Sequence, residues 1–162
     1  MARQYGQIKV SIWVDDDFLD LSPMAQWLFI HLSTHADLSH CGVVDWRLKR
    51  ITPKAAGLTL DVLESAAQEL IDQVYIIADE DTEEVLVRSF MRSDGLLKQR
   101  NMGAAVAKAY ASVASRTIRG VVVHELHRLQ TENPDWTSWG ALKDVLASRS
   151  VNPREMASTD AA

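Results

Sequence analysis

Apolar and polar positions alternate over residues 7–13, with Ile8, Val10 and Ile12 on one side, the two-residue period of a half-buried strand. The period then lengthens. Ser22 and Pro23 supply an N-cap and a proline at the first helical position, and Met24, Trp27, Leu28 and Leu32 follow at helical spacing, predicting a long helix to about Ala36. Cys41, Gly42, Val43 and Val44 form a short extended piece, after which Asp45 is expected to cap a helix over residues 46–51. Pro53 limits that helix. Alternatively Thr52 and Pro53 open a short turn over residues 54–56, and in both variants Gly57 closes the segment in left-handed backbone.

The clearest helix begins at Thr59, its expected N-cap. Leu63, Ala66, Ala67, Leu70 and Ile71 line one face, and Asp61 sits at the positive end. Residues 74–78 and 85–90 are β-rich runs joined by the polar residues 79–84, which predicts a hairpin. Three further helices are expected: an alanine-rich one over 101–114, one over 117–130 with Ile118, Val122, Leu126 and Leu129 on one face, and one over 135–147 after Pro134. From about Arg149 periodicity is lost, and a frayed tail is expected.

A helix, a short strand, a second helix, a glycine turn, a third helix and a hairpin form the element order of a winged helix-turn-helix. The expected architecture is therefore α+β, mostly α. It comprises a winged helix-turn-helix with an N-terminal strand over residues 1–95, a helical extension over 96–148 and a flexible tail over 149–162. Pro53 stands four residues before Gly57, where a small alanine usually lets the paired helices touch, so their contact is expected to be weakened.

The stretch Ile8-Lys9-Val10-Ser11-Ile12-Trp13, then Gly42-Val43-Val44-Asp45-Trp46-Arg47, the run from Asp79 through Glu84 to Phe90, and Leu96-Leu97-Lys98-Gln99 resemble small helix-turn-helix proteins encoded by phages of actinobacteria. The resemblance covers about residues 3–130. More distantly, the chain is similar to the winged-helix N-terminal domains of replisome organisers and replication initiators of the DnaD kind. The resemblance implies double-stranded DNA as partner, with a role in replication initiation or transcription regulation in the cytoplasm of the phage's host. A counterpart of the helicase-loading domain of the larger relatives is not expected within these residues.

Composition restricts how such a protein meets DNA. The 162 residues are 47% hydrophobic and 24% charged, enough for one folded domain, and one cysteine excludes an internal disulfide. With no apolar leader at the start and no apolar run near the roughly 20 residues of a membrane span, a reducing, cytoplasmic setting without membrane contact is expected. The net charge of -5 argues against coating a polyanion by bulk charge. The halves differ in sign: residues 1–90 hold 7 Lys+Arg against 15 Asp+Glu, and residues 91–162 hold 10 against 7.

The helix after Thr59 would be the groove-entering one, yet its outer face carries Asp61, Glu64, Glu69 and Asp72 with no cation, and the wing adds five carboxylates. Ser65 and Gln68 on that face suit base edges, but the acids repel phosphates, so standard insertion is not expected. The cations cluster elsewhere. Arg47, Lys49, Arg50 and Lys54 form one basic segment on the first helix of the pair, which in a winged helix lies beside the DNA backbone, while Lys98 and Arg100 follow the wing and Arg116 and Arg119 share a side of a later helix. These are the candidate phosphate contacts of a partly non-standard DNA face, and solvated helix faces are the bland alternative.

Other constellations are weaker. His31 and His35 stand at i, i+4 with His40 and Cys41 nearby, but adjacent residues rarely both bind one zinc, so no metal or other cofactor is expected. His124 and His127 lack the i+4 spacing of a metalloprotease helix, Asp15, Asp16 and Asp17 fit a helix N-terminus better than a cation loop, and no nucleophile elbow or phosphate-binding glycine loop occurs. Catalysis is not expected. Trp13 and Trp27 lie in core-patterned elements, which leaves Trp46 as the tryptophan set among cations, and Trp136 and Trp139 suit docking of the last helix. The alanines 104, 105, 107, 109 and 111 suit either packing on residues 117–130 or a homodimer seam. The alternative class is a protein-interaction module whose acidic helix and wing bind a replication protein.

Overall fold

The computed structural model describes residues 3–160, and Met1, Ala2 and the last two residues of the expected tail lie outside them. The chain is α+β and mostly helical, built around one antiparallel sheet of β1 (Val43–Asp45), β2 (Ile76–Asp79) and β3 (Glu84–Val87) in the order β1-β3-β2. Val44 faces Val85 on one side of β3 and Ala78 faces Val85 on the other. Among the described residues no helix is long and apolar enough to cross a membrane.

The N-terminal alternation does not make a strand. Residues Val10–Val14 form a 3-10 turn, and α1 (Asp16–Leu19) follows directly, because the Asp15 carboxylate accepts the Asp17 and Phe18 N–H groups and turns the chain into a helix. Val10 and Trp13, unpaired with the sheet, stay in solvent.

Helix α2 (Pro23–Ser33) begins at its expected cap, where Ser22 Oγ accepts the Ala25 N–H at 3.2 Å. It stops three residues short of Ala36, where the Thr34 hydroxyl donates to the Ile30 carbonyl at 2.7 Å and competes for the last turn. The helix expected over 46–51 is instead a pair of 3-10 turns, Leu48–Arg50 and Thr52–Lys54. Asp45 does not cap it: Asp45 belongs to β1 opposite Glu84, and the next N–H, of Trp46, continues the ladder to the Glu83 carbonyl at 2.7 Å. Pro53, lacking an N–H and crowding the preceding turn, prevents an α-helix from extending across the segment. Gly57 then reverses the chain at φ +76°, a backbone region that favours glycine.

Helix α3 (Leu60–Asp72) is capped by Thr59 and buries Leu63, Ala66, Ala67 and Leu70, packing on α2. β3 ends at Val87, so Phe90 is not in the strand but opens the short helix α4 (Phe90–Asp94). Beyond it stand α5 (Met102–Ala111) and α6 (Arg116–Glu132). Helix α6 is buried on more than the expected face: Val121 and Val123 are as inaccessible as Ile118 and Leu126, because β2, α7 (Lys143–Leu146) and Val151 all pack around it.

Of the two expected roles of the alanine-rich helix, packing on α6 is not its main contact within the chain. Helix α5 lies on the 3-10 turn Thr137–Leu142, so close at Gly103 that a Cβ there would sit 2.3 Å from the Ser138 carbonyl oxygen. Residues 135–147 accordingly divide into that turn and α7 rather than one helix. The tail also departs from expectation. The Val151 N–H donates to the Gly120 carbonyl at 2.9 Å, Pro153 is buried, and α8 (Pro153–Asp160) rests Met156 against the core.

Candidate nucleic-acid interface

The two 3-10 turns after β1 project cations because no α-helical register forces them onto one side. Arg47, Lys49, Arg50 and Lys54 are all exposed. Arg47, Arg50 and Lys54 line one open cleft of about 800 Å³, together with His31 from the last turn of α2, His35 just beyond that helix, and Ser112 and Val113 beyond α5. Lys49 does not line it. Arg47 is already engaged, its Nε lying 3.0 Å from the Glu83 carboxylate, whereas Lys49, Arg50 and Lys54 make no ion pair among the described residues. Asp37, Asp45 and Glu84 also border the cleft, so its cations are not unopposed.

His31 stacks on Trp27 at 5.3 Å and meets His35 edge to face at 5.9 Å. Burial holds its pKa below the ordinary histidine value, and the charges of His35 and Lys54 lower it further, so the ring is neutral near pH 7. Its Nε2 is buried without a hydrogen-bond partner among the described residues. Sequence reading missed these histidines as neighbours of the basic segment; the only signal was their i, i+4 spacing at the end of a helix that approaches the turn. As a metal site they do not assemble with His40 and Cys41: among the described residues no group of three or more His, Cys, Asp or Glu is placed to hold an ion. Cys41 is buried beside the Ser39 hydroxyl, and burial pushes its thiol pKa up.

Trp46 is not available to stack a base. It is 4% exposed and its indole N–H donates to Glu80 Oε1 at 3.0 Å, so its surroundings are core and carboxylate rather than open cations. Trp13, expected in the core, is the exposed one at 56%.

The outer face of α3 presents Asp61, Glu64, Ser65, Gln68 and Asp72 to solvent, with the Gln68 amide donating to Asp72 at 2.8 Å. Glu69 leaves that face. It is half-buried and accepts the Ser22 N–H at 2.9 Å, tying α3 to the start of α2. The hairpin carboxylates are largely occupied too. Glu80 and Glu83 hold Trp46 and Arg47, and Glu84 and Asp79 hold the start of α6, where Ser115 donates its N–H to Glu84 at 2.8 Å and its hydroxyl to Asp79 at 2.6 Å.

The downstream cations divide. Arg88 and Arg128 flank the buried Glu125 at 3.8 and 3.2 Å, and Arg92 pairs with Glu132 at 2.6 Å. Lys98, Arg100 and Arg116 are exposed and Arg119 is partly so, but none of the four lines the cleft of the upstream group. His127 shares a side of α6 with Arg116 and Arg119, yet its Nε2 lies 2.7 Å from the Leu146 carbonyl and holds α7.

A second cleft, of about 610 Å³, opens between the N-terminal segment, the start of β2 and the α4 region. Asp15, Asp17 and Asp72 line it together with Arg88, Arg92 and Arg154. Tyr75, also in its lining, has its pKa pushed up to about 12 by burial, with the Asp15 and Asp17 charges adding. No single stretch of sequence signals this cleft, because its walls come from segments far apart in the chain.

No protein-family model matches the chain, and comparison with curated proteins and with solved structures finds no match to either.

Proposed function

We propose that this chain is a winged helix-turn-helix protein of phage origin that binds double-stranded DNA, acting in replication initiation or gene control without catalysis of its own. The observation that carries the reading is the convergence of Arg47, Arg50 and Lys54 on one cleft, with Lys49 exposed on the same turns. The sheet order β1-β3-β2, with α2 before β1 and α3 before the hairpin, is compatible with a winged helix and supports the same reading. Asp61, Glu64 and Asp72 hold α3 away from phosphates. The proposed contact therefore runs along the 3-10 turns, with Lys98, Arg100, Arg116 and Arg119 as outlying phosphate contacts and Ser65 and Gln68 as the only base-edge donors of α3.

Each phosphate neutralised contributes about 0.9 to the slope of log K against log salt. Replacing Lys49, Arg50 and Lys54 together with glutamine is thus expected to reduce that slope by roughly 2 to 3 for a labelled duplex. Unchanged affinity and slope in the triple variant would remove the proposal.

A second reading, a protein-interaction module, is favoured by the uncompensated acids of α3. Under it, duplex DNA is not bound at any salt, and a basic replication protein is captured instead. A homodimer through the exposed Ala104 and Ala111 of α5 is compatible with the DNA reading, since two copies match paired half-sites.

A further inference from the structure

Large apolar side chains in solvent are concentrated in the N-terminal stretch of the chain. Among the described residues the exposed ones are Tyr5, Ile8, Val10, Trp13, Val14 and Leu19, with Val62 the single exception elsewhere. Val10 is 84% exposed, Val14 79%, Trp13 56% and Leu19 47%. Scattered single hydrophobics are ordinary on a surface, but a contiguous group marks an interaction site.

The group is also held in shape. Val10 and Trp13 stand three apart on a 3-10 turn, where such positions eclipse one another. Trp13 sits edge-on to the buried Phe18 at 5.8 Å, and Leu19 follows Phe18 on α1, whose start is fixed by the Asp15 cap. A rigid apolar surface loses little entropy when covered.

Its rim is acidic. Asp16, Asp17 and Asp20 lie on and beside α1, and none of them makes an ion pair among the described residues. Lys9 is the only cation in residues 4–46, and of the three aspartates only Asp17 also borders the second cleft, which it shares with Arg88, Arg92 and Arg154. A second copy of the chain placed face to face would bring two such aspartate sets together, and an anionic lipid surface or nucleic acid would meet the same repulsion. What complements the surface is apolar at its centre and cationic at its edge.

We propose that the surface formed by Val10, Trp13, Val14 and Leu19 docks a basic amphipathic segment of another protein, with apolar side chains over Trp13 and lysines or arginines over Asp16, Asp17 and Asp20. The surface includes neither the cationic cleft nor the outer face of α3, so the inference does not depend on DNA binding.

The test uses the whole chain and a synthetic leucine–lysine peptide of amphipathic helical pattern, with a peptide of identical composition but scrambled order as the control. The patterned peptide is expected to bind, to blue-shift tryptophan emission and to shield it from acrylamide, both effects being absent in Trp13→Phe. The double substitution Val10→Ser with Val14→Ser is expected to weaken binding about tenfold. Asp16→Asn with Asp17→Asn and Asp20→Asn is expected to weaken it and flatten its salt dependence. All these positions are solvent-exposed, and circular dichroism checks that the variants fold. Equal binding of the scrambled peptide, or wild-type binding by either variant set, overturns the inference. So does a dimer in sedimentation equilibrium that the valine substitutions dissociate, because the occupant is then a second copy.

Discussion

Glu84, the first residue of β3, caps the start of α6 through Ser115: its carboxylate accepts the Ser115 N–H at 2.8 Å and the neighbouring Ala114 N–H at 3.1 Å. Asp79 faces Glu84 across the hairpin and receives the Ser115 hydroxyl, which in turn accepts the Ile118 N–H. Read as sequence, these wing acids form a tip that repels phosphate. In the fold they clamp the helical extension to the sheet.

Glu84→Ala leaves two N–H donors at a helix start without their carboxylate. It is expected to cost about 1–3 kcal/mol in urea unfolding, whereas Asp81→Ala, at the exposed tip of the same hairpin, is expected to stay within roughly 0.5 kcal/mol. Equal effects would show that wing acidity, not the cap, matters.

The same clamp has a pH signature. The Ser115 hydroxyl bond, with smaller help from the Thr82 and Asp81 N–H groups, holds the Asp79 pKa below its ordinary value, against an opposing effect of burial. A carboxylate whose folded pKa is depressed contributes stability that is present above its unfolded pKa and is lost as pH falls through the folded one. Stability is therefore expected to drop below about pH 4. Ser115→Ala, which removes the principal cause, is expected to make that acid drop smaller, as thermal melts across pH 2.5–7 can measure.

Two glutamates of α3 that look alike in sequence are expected to behave differently. Glu69→Ala removes the acceptor of the Ser22 N–H at the start of α2 and is expected to lower stability by about 1–2 kcal/mol. Glu64→Ala, on the exposed face, is expected to leave stability within roughly 0.5 kcal/mol. Chemical denaturation of the two single variants compares them directly.

Glu125 lies buried between Arg88 and Arg128, and burial pulls the Arg88 guanidinium pKa down even with the carboxylate near it. Glu125→Gln strands a half-buried guanidinium and is expected to destabilise by about 3 kcal/mol. Replacing Glu125 with leucine and Arg88 with methionine together is expected to recover most of that loss, because the buried charge leaves with its partner. A double variant no more stable than Glu125→Gln would show that the pair contributes more than mutual compensation.

Local signals placed the helices whose determinants are close in sequence. Ser22 and Thr59 cap α2 and α3 as their spacing implies, and Gly57 turns the chain where a glycine was needed. The N-terminal segment departs from its pattern because alternation alone does not bring a segment to a sheet, and the Asp15 cap offered a local helical alternative. Phe90 failed likewise: a β-forming residue continues a strand only while its ladder continues. The helical tail was illegible because its anchors, Val151 on Gly120 and Met156 on the core, are contacts across the fold.

The basic segment over residues 47–54, the acidity of α3 and the amphipathic face that buries α3 are properties of neighbouring residues, and the amino-acid order alone determined them. Only the tertiary structure decided which charges remain free. Arg47, Arg88, Arg92 and Arg128 are paired with acids distant in sequence except for the Arg128–Glu125 bond within α6, while Lys49, Arg50 and Lys54 keep no such partner among the described residues. Charge pairing depends on approach within a few ångströms, and for all but one of these pairs that approach is set by how β1 pairs with β3 and how β3, α4 and α6 pack.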